Sequence, residues 1–151
     1  VNECIGEAIA LLASPLRKVT LETSLASLPS IVGNKGELVQ VFINIMQNAC
    51  ESMASAKTPH PRIQIISLTE GNQIVVRILD NGPGIPSRLL PRIFEPTITT
   101  KTGGRSMGLG LGLTIVQRLV DSYGGSIVAE SQPGNTVFTI RIPTGGDHAK
   151  A

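Results

Sequence analysis

Asp80-Asn81-Gly82-Pro83-Gly84-Ile85 closes the apolar run Ile74-Val75-Val76-Arg77-Ile78-Leu79. At strand period Ile74, Val76, Ile78 and Asp80 share one face, so a carboxylate ends a strand on the side that otherwise reads as core. The backbone then turns through two glycines and Pro83, with Pro86 one residue beyond. Gly82 and Gly84 permit positive φ and close approach of a ligand to the main chain, and the prolines fix the path. A half-buried carboxylate needs a hydrogen-bond donor to offset lost hydration. The exocyclic amine of a flat heterocycle is one such donor. Taken alone, the hexapeptide is also ordinary turn chemistry between a strand and a helix.

Working outward, the run before Asp80 pairs by a Gly71-Asn72 hairpin with a strand over Ile63–Leu68. Upstream, Glu37–Ala54 reads as a strong helix, with Leu38, Val41, Phe42, Ile45, Ala49 and Met53 as its apolar stripe. A second stripe is polar: Gln40, Asn44, Asn48 and Glu51. Asn is a poor helix former because its amide competes with the backbone. Two of them in mid-helix suggest a task, and an amide oxygen suits Mg²⁺ that already carries phosphates. A solvated polar face is the other reading of the same stripe.

Downstream, Pro86–Ile93 reads as a short helix. The polar Thr97–Met107 segment reads as a mobile lid with glycine hinges. Gly108-Leu109-Gly110-Leu111-Gly112-Leu113 opens a second helix whose stripe is Leu109, Leu113, Val116, Val120 and Tyr123, stopped by Gly124-Gly125. Free N–H groups at such a start favour an anion, and tight packing against a strand would use the same glycines. Strands over 126–131 and 136–142 flank a Pro133-Gly134-Asn135 turn. At the start of the chain, 2–13 reads as a helix ended by Pro15, and Lys18–Leu25 as an antiparallel or edge strand. Gly33–Gly36 reads as loop, and residues 144–151 as a polar tail after a domain over 1–143.

Composition narrows the classes. The 151 residues are 41% hydrophobic and 16% charged, which fits a globular core. A net charge of +2, three Phe, one Tyr and no Trp argue against nucleic acid. No apolar run approaches the roughly 18–20 residues of a membrane span, so no direct membrane insertion is expected. Cys4 and Cys50 lack metal spacing and read as reduced, packed thiols of a cytoplasmic domain. Seven of the sixteen glycines fall between Gly82 and Gly112, where a backbone-built site is expected.

In order along the chain these features resemble the catalytic and ATP-binding domain of sensor histidine kinases, in the GHKL superfamily. Asn44-Ile45-Met46-Gln47-Asn48-Ala49 resembles that family's N box, and Asp80–Ile85 its first glycine box. Ile93-Phe94-Glu95-Pro96 resembles its F box, and Thr99-Thr100-Lys101 the start of its lid. Gly108–Leu113 resembles its second glycine box, and Gly134–Phe138 its last glycine-threonine-phenylalanine element. The resemblance implies an α+β two-layer sandwich, the Bergerat fold, with a mixed sheet of about five strands and helices on one face. No G-x-x-x-x-G-K-[ST] run occurs, in keeping with that fold.

The resemblance also implies roles. Asp80 would accept from the adenine amino group, with Thr136 at the same end through a water. Gly82 and Gly84 would let the backbone pass close to the base, with Ile85 in the same box. Asn48 would hold Mg²⁺, with Asn44 one turn away near the phosphates of ATP. Lys101 and the amides of Gly108, Leu109 and Gly110 would meet the phosphates, with Leu111 in that box. Hydrolytic relatives carry a glutamate where this chain has Asn44, which favours transfer to protein over hydrolysis. Glu51 has an acid-base or structural role near the partner, or is a surface charge. His60, between Pro59 and Pro61, is barred from a helix, and His148 lies in the tail, so neither reads as a phosphate acceptor. The implied partners are a dimeric helical-hairpin domain bearing the acceptor histidine and a response regulator receiver domain. The domain would be cytoplasmic, or the cytosolic part of a membrane-anchored sensor. The alternatives are a GHKL ATPase that drives a machine and a nucleotide-binding module without activity.

Overall fold

A computed structural model describes residues 1–96 and 107–145. In chain order the elements are α1 (Asn2–Leu11), α2 (Ala13–Leu16), β1 (Thr20–Leu25), α3 (Lys35–Ser55), β2 (Arg62–Glu70) and β3 (Gln73–Asp80). A 3-10 turn over Leu90–Arg92 follows, then α4 (Met107–Ser122), β4 (Ser126–Gln132) and β5 (Asn135–Pro143). The five strands form one mixed sheet in the order β1-β2-β3-β5-β4. β1 pairs parallel with β2, and every other pairing is antiparallel. The expected α+β sandwich is therefore present, with α1, α3 and α4 stacked over one side of the sheet.

The sheet's two faces differ as strand alternation demands. Ile63 and Ile65 of β2, Ile74, Val76 and Ile78 of β3, and Phe138, Ile140 and Ile142 of β5 are buried toward the helices. Register ties them in rows, such as Ile65 opposite Ile78 and Ile78 opposite Phe138. The whole predicted stripe of α3 is buried, and so are Val39, Met46 and Cys50 beside it. That wider arc reflects contact with α1 and α4 as well as with β3. On the other face Glu70 bridges two guanidinium groups, Arg141 at 2.6 Å and Arg77 at 3.3 Å. Val75, paired with Arg141 and two residues before Arg77 on β3, is fully buried there, as expected under long side-chain stems.

Five local expectations are corrected. Pro15 does not end the first helix; the break falls at Leu12, and Pro15 sits inside the four-residue α2. A first turn needs no N–H donor there, so proline is tolerated. β1 lies at the sheet edge but runs parallel, because the α3 crossover returns the chain in the same direction. Only Leu90–Arg92 of the 86–93 stretch is helical, as a 3-10 turn. Gly33–Gly36 is shorter as a loop than expected, since Asn34 caps α3 by accepting from Gly36 and Glu37 N–H at 2.8 and 3.3 Å. Met107, read as the end of the lid, begins α4, and the rest of that lid, Thr97–Ser106, lies outside the described residues.

Tyr123 fastens the C-terminal end of α4 to the start of α3. Its hydroxyl accepts from Asn34 N–H at 2.8 Å and lies 3.0 Å from the Asn34 carbonyl and 3.2 Å from the Glu37 carboxylate. The ring lies so close to Gly33 that a Cβ there would overlap it. Tyr123→Phe orphans a partly buried N–H and is expected to cost about 1–3 kcal/mol. Urea unfolding should show a lower midpoint with an unchanged slope; an unmoved midpoint would show that the hydroxyl contributes nothing.

Candidate functional site

The core-facing row of β3 ends at Asp80, which is half-buried. Its Oδ1 accepts the Gly82 N–H at 2.9 Å, so the carboxylate folds back on the turn that follows it. A Cβ at Gly82 would stand 2.9 Å from that oxygen and 3.1 Å from Met53 Cγ of α3, so a side chain there would displace the carboxylate. Gly84 has φ +82°, and a Cβ there would meet the Gln132 backbone at 2.8 Å. Two bonds join the loop to the β4–β5 hairpin: Gly134 N–H donates to the Gly82 carbonyl and Ile85 N–H to Ser131 Oγ, both at 2.8 Å. Ser131 Oγ is 2.7 Å from Thr136 Oγ1, and Thr136 is buried and paired with Asp80 across the sheet. Asp80, Gly82, Gly84, Ile85 and Thr136, all named from the sequence, thus come together where the loop meets the hairpin.

Sequence reasoning missed three members of this surround. Ser131 is one; its task depends on strand register, which no local motif encodes. Asn81 is another: its Oδ1 accepts from Arg62 N–H at 2.7 Å and its Nδ2 donates to the His60 carbonyl at 2.9 Å. It moors the loop before β2, where His60 is exposed and held at φ +50°. The third is Cys50 of α3. Burial first, then the charges of Asp80 and Glu51, push its thiol pKa up to about 11. It is buried and unpaired, as expected of a reduced, packed thiol, but it belongs to the carboxylate's surroundings.

Along α3 the polar stripe divides. Asn44 is satisfied at both ends of its amide, accepting from Gln40 Nε2 at 2.6 Å and donating to the Gly112 carbonyl of α4 at 3.3 Å. Asn48 Nδ2 is buried without any hydrogen-bond partner. Such orphans are rare and call for a reason. Glu51 is half-buried and accepts from Gln47 Nε2 at 3.3 Å. Among the described residues no group of three His, Cys, Asp or Glu side chains is poised around a metal. A magnesium ion carrying phosphates and waters needs no such cage. The orphaned Nδ2 is a donor and cannot ligate a cation; in the Asn48 amide, one turn from the link to α4, only the side-chain oxygen suits that lighter demand. Gly108, Leu109, Gly110 and Leu111 fall in the first turns of α4, whose opening N–H groups have no partner within the helix. Lys101 lies outside the described residues.

A separate groove of about 370 Å³ lies between α4 and the Phe94 turn, lined by Pro91, Phe94, Glu95, Thr114, Gln117 and Arg118 among others. None of the cluster around Asp80 lines it. Phe94 packs edge-on to Phe138, with ring centroids 6.5 Å apart, and its carbonyl accepts from Thr114 Oγ1 at 3.0 Å.

The family model for histidine kinase-, DNA gyrase B- and HSP90-like ATPases matches residues 33–146. The chain belongs to that family. The sensory histidine kinase/phosphatase NtrB of Rhizobium leguminosarum bv. phaseoli is 36% identical over 133 residues, covering 80% of this chain and 34% of the relative. Sporulation kinase A of Bacillus subtilis is 35% identical over 147 residues, covering 95% of this chain and 23% of the relative. The catalytic domain of histidine kinase ThkA, solved without nucleotide, superposes with a TM-score of 0.80 at 31% identity, covering 95% of this chain and 92% of that one. Within the family, then, this is a catalytic domain of the sensor histidine kinase type. The chain spans about a third of the length of the NtrB relatives it matches.

Burial raises the Asp80 carboxyl above the ordinary carboxylate range, and the Gly82 N–H only partly opposes this. The folded chain therefore keeps this proton at a pH where the unfolded chain has released it. Stability falls as pH rises from the unfolded value, about 3.9, through the raised folded value, and stays reduced above it. Asp80→Asn keeps an acceptor for Gly82 N–H without the charge. It is expected to raise the Tm of the nucleotide-free protein at neutral pH, and the gain should vanish once both states are protonated. Thermal melts across pH check this; no gain at neutral pH would show a carboxylate without a burial cost.

Proposed function

We propose that this domain binds Mg-ATP and positions its γ-phosphate for transfer to a histidine on a separate helical-hairpin domain. From there the phosphate passes to the receiver domain of a response regulator. The observation that carries the reading is Asp80: a half-buried carboxylate, held on one oxygen by Gly82 N–H, at the mouth of a loop that only glycine can build. Its surroundings favour an incoming donor, and a 6-amino group is one. Support for the downstream partner comes from a similar kinase: ThkA, 27% identical with a TM-score of 0.77, has been solved in complex with the response regulator protein TrrA.

Phosphoryl transfer is chiefly positioning and charge stabilisation. In this reading Asp80 and Thr136 orient the base, and Gly82 and Gly84 let it lie against the backbone. The first-turn amides of α4 receive phosphate oxygens, with Lys101 nearby. Asn48 holds Mg²⁺ through its side-chain oxygen, and the ion offsets charge on the phosphates when bound. Asn44 braces α3 against α4 beside them, and Glu51 faces the partner's histidine as an acid-base or supporting group. Asn44 stands where hydrolytic relatives carry a glutamate to activate water, which favours transfer to protein over hydrolysis. The acceptor comes from another domain, His60 being exposed and held among prolines. The reading puts the domain in the cytoplasm, where ATP and free thiols such as Cys4 and Cys50 coexist. Among the described residues no helix is long and apolar enough to cross a membrane.

Labelled ATP supplied to this chain, with and without the matching helical-hairpin domain, tests the reading. Acid-labile label on a histidine of the added domain is the expected result. Phosphate release by this chain alone would point to a hydrolytic ATPase, and binding with neither outcome to an inactive module. Asp80→Asn is expected to weaken nucleotide binding by about 1.5–3 kcal/mol, the range for a hydrogen bond to a charged group. Unchanged affinity by calorimetry would rule out base recognition at this carboxylate. Asn48→Ala should leave base binding intact and sharply reduce transfer.

A further inference from the structure

The glycine loop meets the β4–β5 hairpin at three successive points. The Gly82 carbonyl accepts from Gly134 N–H, Gly84 lies against the Gln132–Pro133 backbone, and Ile85 N–H donates to Ser131 Oγ. Two of these contacts belong to backbone alone. The third runs through a side chain, and that side chain is out of character for its position. Ser131 continues the β4 row of Ile127 and Ala129, opposite Thr136, Phe138 and Ile140 of β5. This is the face turned to the helices, yet the row ends in a hydroxyl.

The hydroxyl stands at the end of a polar line across the sheet. Asp80 of β3 pairs with Thr136 of β5, and Thr136 pairs with Ser131 of β4. Paired side chains of neighbouring strands stand on the same face, about 4.5–5.5 Å apart at Cβ. Thr136 is buried, and its hydroxyl has Ser131 as its hydrogen-bond partner. We propose that Ser131 is the positioning residue of the base pocket, holding the Ile85 N–H and the Thr136 hydroxyl together so that the line from Ser131 to Asp80 selects a 6-aminopurine over a 6-oxopurine. The inference rests on the reading that a purine meets Asp80.

The selection follows from proton bookkeeping. Two hydroxyls share one bond, which leaves one proton free. Ser131 accepts the Ile85 N–H on one lone pair. The 2.7 Å contact admits either hydroxyl as donor, and the proposed arrangement has Ser131 donating to Thr136. The Thr136 proton is then free to point into the pocket, beside the Asp80 carboxylate. The edge so made presents a donor beside an acceptor, directly or through a water. A 6-aminopurine, with its amino donor next to the N1 acceptor, matches that order. A 6-oxopurine, with a carbonyl next to N1–H, opposes it. Without the Ser131 oxygen the Thr136 hydroxyl is free to turn either way, and the loop loses its side-chain tether to the hairpin.

The test uses this chain and calorimetry with a non-hydrolysable ATP analogue and its inosine counterpart. Ser131→Ala is expected to weaken the adenine nucleotide roughly tenfold, the effect of one lost buried hydrogen bond, and to narrow the preference for adenine over inosine. Ser131→Cys, close in size but a poor acceptor, should behave like alanine and serves if the alanine variant does not fold. Ser131→Thr keeps the hydroxyl and should restore both affinity and preference. An equal loss for both nucleotides, tracking the loss of Tm, overturns the proposal, because a merely structural serine would do that. Asp80→Asn separates the two levels of inference. If it weakens binding while Ser131→Ala does not, the role of Ser131 fails alone; if neither weakens binding, the pocket itself fails.

Discussion

The 2.9 Å bond from Gly82 N–H to Asp80 Oδ1 is the constraint that the surrounding chain is shaped to keep. A carboxylate half out of water gains only part of its lost hydration from one amide, as the upward shift of its pKa records. A Cβ at Gly82 would press on Asp80 and Met53 and disturb that bond. Keeping the amide in place also requires the left-handed turn at Gly84, which seats the loop on the hairpin made by β4 and β5. The hairpin's own Pro133-Gly134 turn, with Gly134 at φ +84°, answers by donating back to Gly82. Motifs separated by some fifty residues of sequence are parts of one mechanical joint.

Much of the architecture was legible because the apolar periods were clean. The stripes of α3 and α4 and the alternation along β2, β3 and β5 name much of the buried layer, while Val39, Met46 and Cys50 of α3, the buried face of α1 and Ile127 of β4 lie outside them. Misreadings fell where neighbours rather than local pattern decide. The direction of β1 is set by the α3 crossover, not by its own alternation. Pro15 looked like a stop, yet the chain takes one more short turn after Leu12 in which proline costs no bond. Of the site, Asp80 and the glycines stood out because a charge at the end of a core-facing row is conspicuous. Ser131, Asn81 and Cys50 did not, because strand pairing and helix packing give each its partners.

The two cysteines show how position along one helix separates similar side chains. Cys4 feels the charge of Lys35 at the start of α3, whereas Cys50 feels Asp80 near its end. Both thiols are buried and free. Both thiols are held protonated by burial, and a thiolate at Cys50 would in addition face a carboxylate of like charge.

α3 touches both halves of the proposed pocket, Gly82 through Met53 and Gly112 through the Asn44 amide. The rise between those two residues is about 14 Å, and a helix does not stretch. Any roll or slide of α3 must therefore carry the recognition end and the phosphate end together. Affinities of fragments occupying opposite ends would then not sum to the affinity of the whole nucleotide: the first to arrive sets the pose of a shared strut and alters what the second gains.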